Sequence, residues 1–380
     1  MRINLLIWTL TLSLFSCATG PENEHTKEEL SPLNDPPFEL KYATGFEADF
    51  YEEGILISIN RAWKDMQEPM LFWIPGKEGY AQFEGAQSIP SEIKRIACLS
   101  TSHLHAFELL ESGQMIKGVA NPNHVYSEFY QNGLKNGTII RIGSNQEIDY
   151  ENLLTLDPDI LLIYGIGDAV IPQLEKLESL EIPYLLIGEY MEEHPLGQAE
   201  WLKLFGVLIG KEEMADSVFS KLESEYLAIQ KMQSESSEKP TVFLNSPWEG
   251  VWYMPASANF STHLIEDAGG QLLFKNDEEE GWQTLDKEFV FEKAYDADFW
   301  LNTGSHNSLR ELEAFFPMAS DFQAFQNAKV YNNVKRISEG GGNDYWESGI
   351  YRPDLVLKDL YLILHADSLN SADLFYFKHL

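Results

Sequence analysis

The stretch PLGQAEWLKLFGVLIGKEEMADSVFSKLESEYLAIQKMQ, residues 195–233, decides how the rest of the 380-residue chain is divided. From Pro195 a broadly apolar run passes through Ala199, Trp201, Leu202, Leu204, Phe205, Val207, Leu208 and Ile209 and breaks at Gly210. Beyond that glycine, Met214, Val218, Leu222, Tyr226 and Ile229 recur every three to four residues, with Lys211, Glu212, Asp216, Lys221, Glu223 and Glu225 off the stripe. That period predicts an amphipathic helix of about 20 residues, roughly 30 Å long. The sequence on either side alternates strand-like and helix-like segments, so the helix reads as a stiff joint between two α/β lobes of similar size. A core helix of one large domain is the alternative. A chain of this length suggests about two domains.

Before the helix, Ile93 to Leu99 is a strand that stops at Ser100-Thr101-Ser102, and helical spacing follows from His103 to Leu110. Met115 to Ala120, Asp159 to Tyr164 and Pro183 to Gly188 are further strands, with helical Leu174 to Leu180 before the last. After the helix, Thr241 to Leu244, Ala297 to Asn302 and Lys329 to Asn332 read as strands, and His263 to Gly270 and Pro353 to His365 as helices. Such alternation predicts a mostly parallel sheet with right-handed crossovers in each lobe. A weak internal echo supports two related halves. Ile148-Asp149-Tyr150-Glu151 precedes Asp157-Pro158-Asp159 as Leu285-Asp286-Lys287-Glu288 precedes Asp296-Ala297-Asp298, with two extra residues in the second spacing. Residues 39–90 form a small β element around Ile55 to Ile59 and Met70 to Ile74, in which no chemistry is legible.

At the N-terminus, Arg2 precedes an apolar run from Ile3 to Phe15 that is too short to span a bilayer and ends in Leu14-Phe15-Ser16-Cys17. This resembles a bacterial lipoprotein signal peptide, which implies that residues 1–16 are removed and Cys17 is lipidated; an ordinary signal peptide or a short membrane anchor is the alternative. Phe15 is larger than the residue usual there. Ala18 to Pro37 is polar and aperiodic, as a flexible tether would be. The resulting division is a signal peptide (1–16), a tether (17–38), an N-terminal lobe (39–194), connecting helices (195–235) and a C-terminal lobe (240–380). Cys98, the only other cysteine, lies in an apolar strand and reads as a buried thiol. A formal charge of −33 argues against nucleic acid and anionic lipid as partners, because a phosphate backbone needs a basic footprint.

Strand-Ser-helix after Ile96, the segment Glu151 to Asp159 with its Asp-Pro-Asp end, the long connecting helix and the second α/β lobe together resemble the helical-backbone class of periplasmic binding proteins. These are substrate-binding lipoproteins of ABC importers for iron-siderophores, haem and cobalamin. The likeness covers roughly residues 90–370, and Gly341 to Glu347 with Arg352-Pro353-Asp354 looks most like members from Bacteroidetes. It implies an α/β fold of two Rossmann-like lobes joined by a long rigid helix, with the ligand cleft between the lobes where both sheets end. The implied protein is a monomer in the cell envelope, lipid-anchored and facing the periplasm. It hands an iron chelate, or alternatively a corrinoid or haem, to a permease and its ATPase. It uses no cofactor and no metal of its own. In this class one glutamate on each lobe meets the permease. Glu151 matches the first position, and Glu288 the second, with Glu292 as competitor.

That geometry selects the loops beyond the strands. Ser102, His103, Tyr126, Tyr164, Trp248, Trp252, Tyr253, Trp282, Tyr345 and Trp346 are the expected ligand contacts, since aromatic faces hold a bulky organic ligand. Tyr190 is a further aromatic on these loops. His103 and His105 lie two apart on a helix and face different ways, so they do not readily share an ion. Tyr126 and His124 are the candidates for an axial ligand if the cargo is haem. Arg141, Arg310, Arg336 and Arg352 are the basic residues near the loops. An enzyme is the rival class, in the form of a secreted lipoprotein hydrolase, but the chain has no G-x-S-x-G, HExxH or P-loop, and Gly165-Ile166-Gly167 is only a partial glycine motif. An adhesion module without a small ligand is the remaining alternative.

Overall fold

The computed structural model describes residues 25–380, apart from 28–29, 78–79, 81, 145–146, 166, 234–238, 279–280 and 367–368. The expected signal peptide and the lipidation site Cys17 lie outside the described residues.

The first lobe is built on a six-stranded sheet in the order Tyr184–Leu186, Ile160–Ile163, Ile96–Cys98, Ile116–Ala120, Ile140–Ser144 and Glu147–Ile148. Its neighbours are parallel except the last pair. The second lobe repeats the plan with Gln271–Leu272, Thr241–Leu244, Phe299–Leu301 and Val330–Asn332 in parallel, and adds Lys378–His379 antiparallel at the edge. Helices cover both sheets, which is why strands such as Ile160–Ile163 are apolar and buried at every position.

The internal echo has a physical counterpart. Asp159 accepts the backbone N–H of Lys94 and of Arg95, both at 2.7 Å, just ahead of the first strand of its lobe. Asp298 accepts the N–H of Thr241 at 2.8 Å at the same point of the other lobe. Each carboxylate satisfies backbone donors at the start of the strand next to its own.

The joint consists of three helices, Pro195–Glu200, Leu202–Ile209 and Glu212–Gln233. Gly210 closes the second in the left-handed conformation (φ 65°). In the long third helix Ala215 belongs to the first lobe's core and Tyr226 to the second's, with Met214 and Val218 packed on the former and Ile229 on the latter. One rigid element is therefore sunk in two hydrophobic cores.

Residues 39–90 form a four-stranded sheet, Phe46–Phe50, Gly54–Ile59, Met70–Pro75 and Ala86–Ser88. Side chains alternate across it: Ile57, Ile59, Phe72 and Ile74 join the core of the first lobe, while Leu56 and Trp73 form a small outer core with Leu30, Tyr51 and Phe83. This corrects the expected tether at its C-terminal end. Leu30 and Phe38 are buried, and the N–H of Ser31 is held by the Glu53 carboxylate at 2.9 Å, so the chain lies against the sheet there. Two more carboxylates fix the following segment. Buried Glu200 accepts the N–H groups of Lys41, Tyr42 and Ala43, and buried Glu192 those of Thr44 and Gly45.

Candidate functional site

Loops beyond the strands of the two lobes meet across the gap between them. After Tyr184–Leu186 the chain turns through Glu189–Met191 and puts Tyr190 opposite Phe260 and Trp282 of the second lobe, around a crevice of about 280 Å³. Tyr190 and Phe260 also border an adjoining apolar pocket of about 130 Å³, closed by Tyr345, Trp346 and Ile350. Tyr190, Trp282 and Trp346 keep 37%, 45% and 49% of their surface exposed, so their faces are available to a ligand.

Short connections hold Tyr190 in place. Its hydroxyl donates to the carbonyls of Ala62, at 3.0 Å, and Gly165. Beneath it, buried Glu189 accepts a 2.8 Å hydrogen bond from Ser102 Oγ, tying this loop to the one after Ile96–Cys98. Burial pushes the Glu189 carboxyl above its ordinary range. His103 packs on Phe205 with its ring buried, and desolvation lowers its pKa to about 3, so it is neutral at physiological pH.

At the other flank, the loop after Ile116–Ala120 meets the loop after Val330–Asn332. Backbone touches backbone here. A Cβ on Gly340 would lie 2.6 Å from the Asn123 carbonyl oxygen, and one on Gly342 2.4 Å from that of His124, so only glycine allows the approach. The cavity beside this contact is larger, about 770 Å³, and both of its arginines are already engaged. Arg336 pairs with Asp344 at 2.5 Å and stacks on the rings of Tyr126 and Phe375, and Arg352 pairs with Asp354 at 2.7 Å. The aromatic crevice at the first flank is the better candidate for a ligand.

The expected contacts thus separate. Trp282 and Trp346 line the crevice and pocket. Tyr345 borders the pocket but is nearly buried, packed on Trp346, Tyr376 and Phe377. Trp252 is corrected: it lies on the strand Val251–Pro255 with its ring wholly inside the second core, against Phe243, Trp300 and Phe316, and its Nε1–H donates to the Leu244 carbonyl at 2.7 Å. Ser102 and His103 are likewise buried, the former committed to Glu189. Tyr164 is half-buried on the first core. Trp248 and Tyr253 are exposed but border neither the crevice nor the pocket. Tyr126 lines the polar cavity, and His124 is exposed beside Gly342. Arg141 and Arg310 are exposed. Among the described residues no cluster of three or more metal-ligating side chains occurs.

Two groups were missed. Phe260 begins the helix Phe260–Asp267, capped by the Asn259 side chain, a start signal that could have been read. Arg61 and Lys64 belong to the small sheet, where no chemistry was expected, yet both line the crevice.

A pair of α/β lobes on one stiff helix, with an aromatic crevice where the sheets end, defines a solute-binding protein. The chain belongs to the periplasmic binding protein family, whose sequence pattern matches residues 96–335. It is 25% identical to an uncharacterized lipoprotein of Methanocaldococcus jannaschii over 99% of this chain and 95% of the relative. Structures similar in fold include a possible iron-binding, periplasmic solute-binding protein of Staphylococcus epidermidis (18% identical, TM-score 0.54, covering 72% of this chain and 99% of that one). A Staphylococcus aureus protein complexed with haem is also similar (16% identical, TM-score 0.53, covering 72% of this chain and 99% of that one). Family membership makes the chain a binding protein of the cell envelope and sets the hydrolase alternative aside. Among the described residues no helix is long and apolar enough to cross a membrane.

Proposed function

We propose that this chain is the substrate-binding component of an ABC importer, lipid-anchored through Cys17, that captures an iron chelate of the siderophore type and delivers it to a membrane permease. The crevice carries this reading. Tyr190, Phe260, Trp282 and Trp346 offer large aromatic faces around an open gap between two lobes, and such faces hold organic ligands. The lipoprotein name of the Methanocaldococcus relative supports the anchor, and the iron-binding description of the Staphylococcus epidermidis protein supports the cargo class. Haem and cobalamin are the alternatives within the same class, haem favoured by the complexed Staphylococcus aureus structure. Glu151 and Glu288 are the proposed contacts to the two permease subunits.

The test is a thermal-shift and tryptophan-fluorescence titration of the full chain with ferric hydroxamate, ferric catecholate, haemin and cyanocobalamin. One chelate at a hundredfold excess over its Kd should add about 2.7 kcal/mol of stability. If none of the four raises the melting temperature or quenches fluorescence, the reading fails.

A further inference from the structure

The small N-terminal sheet lies ahead of residue 96, where the family's sequence pattern begins, yet its turn reaches the crevice. Three contacts pin that turn to the loops of the first lobe. The Tyr190 hydroxyl donates to the Ala62 carbonyl at 3.0 Å, and Trp63 Nε1–H donates to Asp168 at 3.1 Å. Gly188 packs so closely that a Cβ there would lie 2.3 Å from the Arg61 carbonyl oxygen. So held, the turn places Arg61 and Lys64 on the crevice wall beside Tyr190 and Trp282.

We propose that the N-terminal sheet is a third wall of the ligand site and that Lys64, supported by Arg61, recognises a carboxylate carried by the cargo. This rests on the crevice being the binding site, as proposed above. The charge argument is local. In a chain of net charge −33 an anionic ligand is repelled at a distance and needs a cationic foothold where it lands. Lys64 is exposed, and among the described residues no carboxylate pairs with it. Arg61, half-buried, lies 3.6 Å from Glu193, a separation at which the pair contributes little. Among the described residues the other carboxylate on this wall, Glu192, is engaged with Thr44, Gly45 and Trp201 and does not compete.

The experiment compares the full chain with its Lys64→Gln and Arg61→Gln/Lys64→Gln variants. Probes are two carboxylate-bearing complexes, ferric citrate and haemin, and two without a free carboxylate, a neutral ferric trihydroxamate and cyanocobalamin. The wild type should bind a carboxylate-bearing probe, and the double variant should bind it about tenfold or more weakly, with an unchanged melting temperature. Lys64→Gln alone should give part of that loss. Wild-type affinity for that probe in the double variant would overturn the third-wall assignment while leaving the proposed function standing. An equal loss for carboxylate and neutral probes would overturn it too, since that marks a displaced turn. A wild type that bound only the neutral probes would overturn the carboxylate recognition, and one that bound none would remove both readings.

Discussion

Glu347, on a short helix of the second lobe, accepts the backbone N–H of Tyr126 in the first lobe at 2.6 Å, and that of Ser127 at 2.8 Å. The same carboxylate therefore hooks one lobe onto the start of a helix in the other, Glu128–Asn136. Desolvation raises its pKa from the ordinary 4.5 to about 7, with Glu108 and Asp344 adding repulsion and the two N–H groups opposing.

That shift sets a pH dependence. The folded chain holds this proton more tightly than the unfolded one, so the associated stability is present below pH 4.5 and is lost as pH rises through about 7. The full effect is roughly 3 kcal/mol at most. Glu347→Gln should remove it, so that the variant's melting temperature falls less than the wild type's between pH 5 and 8. Parallel melting curves across that range would show that Glu347 does not titrate there.

The tryptophans should divide by burial. Trp252→Ala should cost about 3–5 kcal/mol of stability, because it empties a site in the second core and leaves the Leu244 carbonyl without its donor. Trp346→Ala removes a half-exposed ring from the pocket wall and should leave stability within about 1 kcal/mol while costing about 2 kcal/mol of ligand affinity. Denaturant melts and ligand titrations of the same two variants decide it; a reversed pattern would move the site.

Closure on binding should be small. The helix Glu212–Gln233 is anchored in both cores, and the Gly340 and Gly342 backbone meets Asn123 and His124 across the lobes, so no flexible hinge is available at either place. Small-angle scattering should give the same radius of gyration with and without ligand to within about 1 Å. A contraction of several ångströms would refute this.

The lobes and their joint were legible because period and burial agree there: the helix Pro353–His365 and the strand Thr241–Leu244 match the sequence reading end to end. The strand Ile140–Ser144 was not read, since Arg141 and Gly143 interrupt its apolar run. The site was less legible. Loop position marked Trp252 as a cleft residue, whereas the alternation of Trp252 and Met254 inward against an exposed Tyr253 makes it core. Arg61 and Lys64 could not be placed from local pattern at all, because only the docking of a separate sheet through Gly188 and Tyr190 brings them to the crevice.

The proposed docking points sit at matching places. Glu151 lies in the first turn of the helix Tyr150–Leu156, after the capping residue Asp149, and Glu288 in the first turn of Lys287–Ala294, after Asp286. Each helix leads into the strand that pairs with the first strand of its lobe, Ile160–Ile163 and Phe299–Leu301. Both side chains are exposed; Glu288 has only a weak contact to Lys287 at 3.8 Å, whereas Glu292 lies a turn further on and pairs with Lys293 at 3.1 Å. Glu288, which matches Glu151 in its place on the helix, is the proposed partner of Glu151, and the two would give one acidic point per lobe for a permease of two related subunits. Favourable interaction with the positive end of each helix would explain an acidic residue there without any partner, so the variants must separate the roles. Reversal to lysine at both positions should cost no more than about 1 kcal/mol of stability per site and leave ligand affinity unchanged, yet abolish uptake in vesicles reconstituted with the permease, because complementary charge governs orientation and encounter. Uptake at the wild-type rate by the doubly reversed protein would reject the docking role.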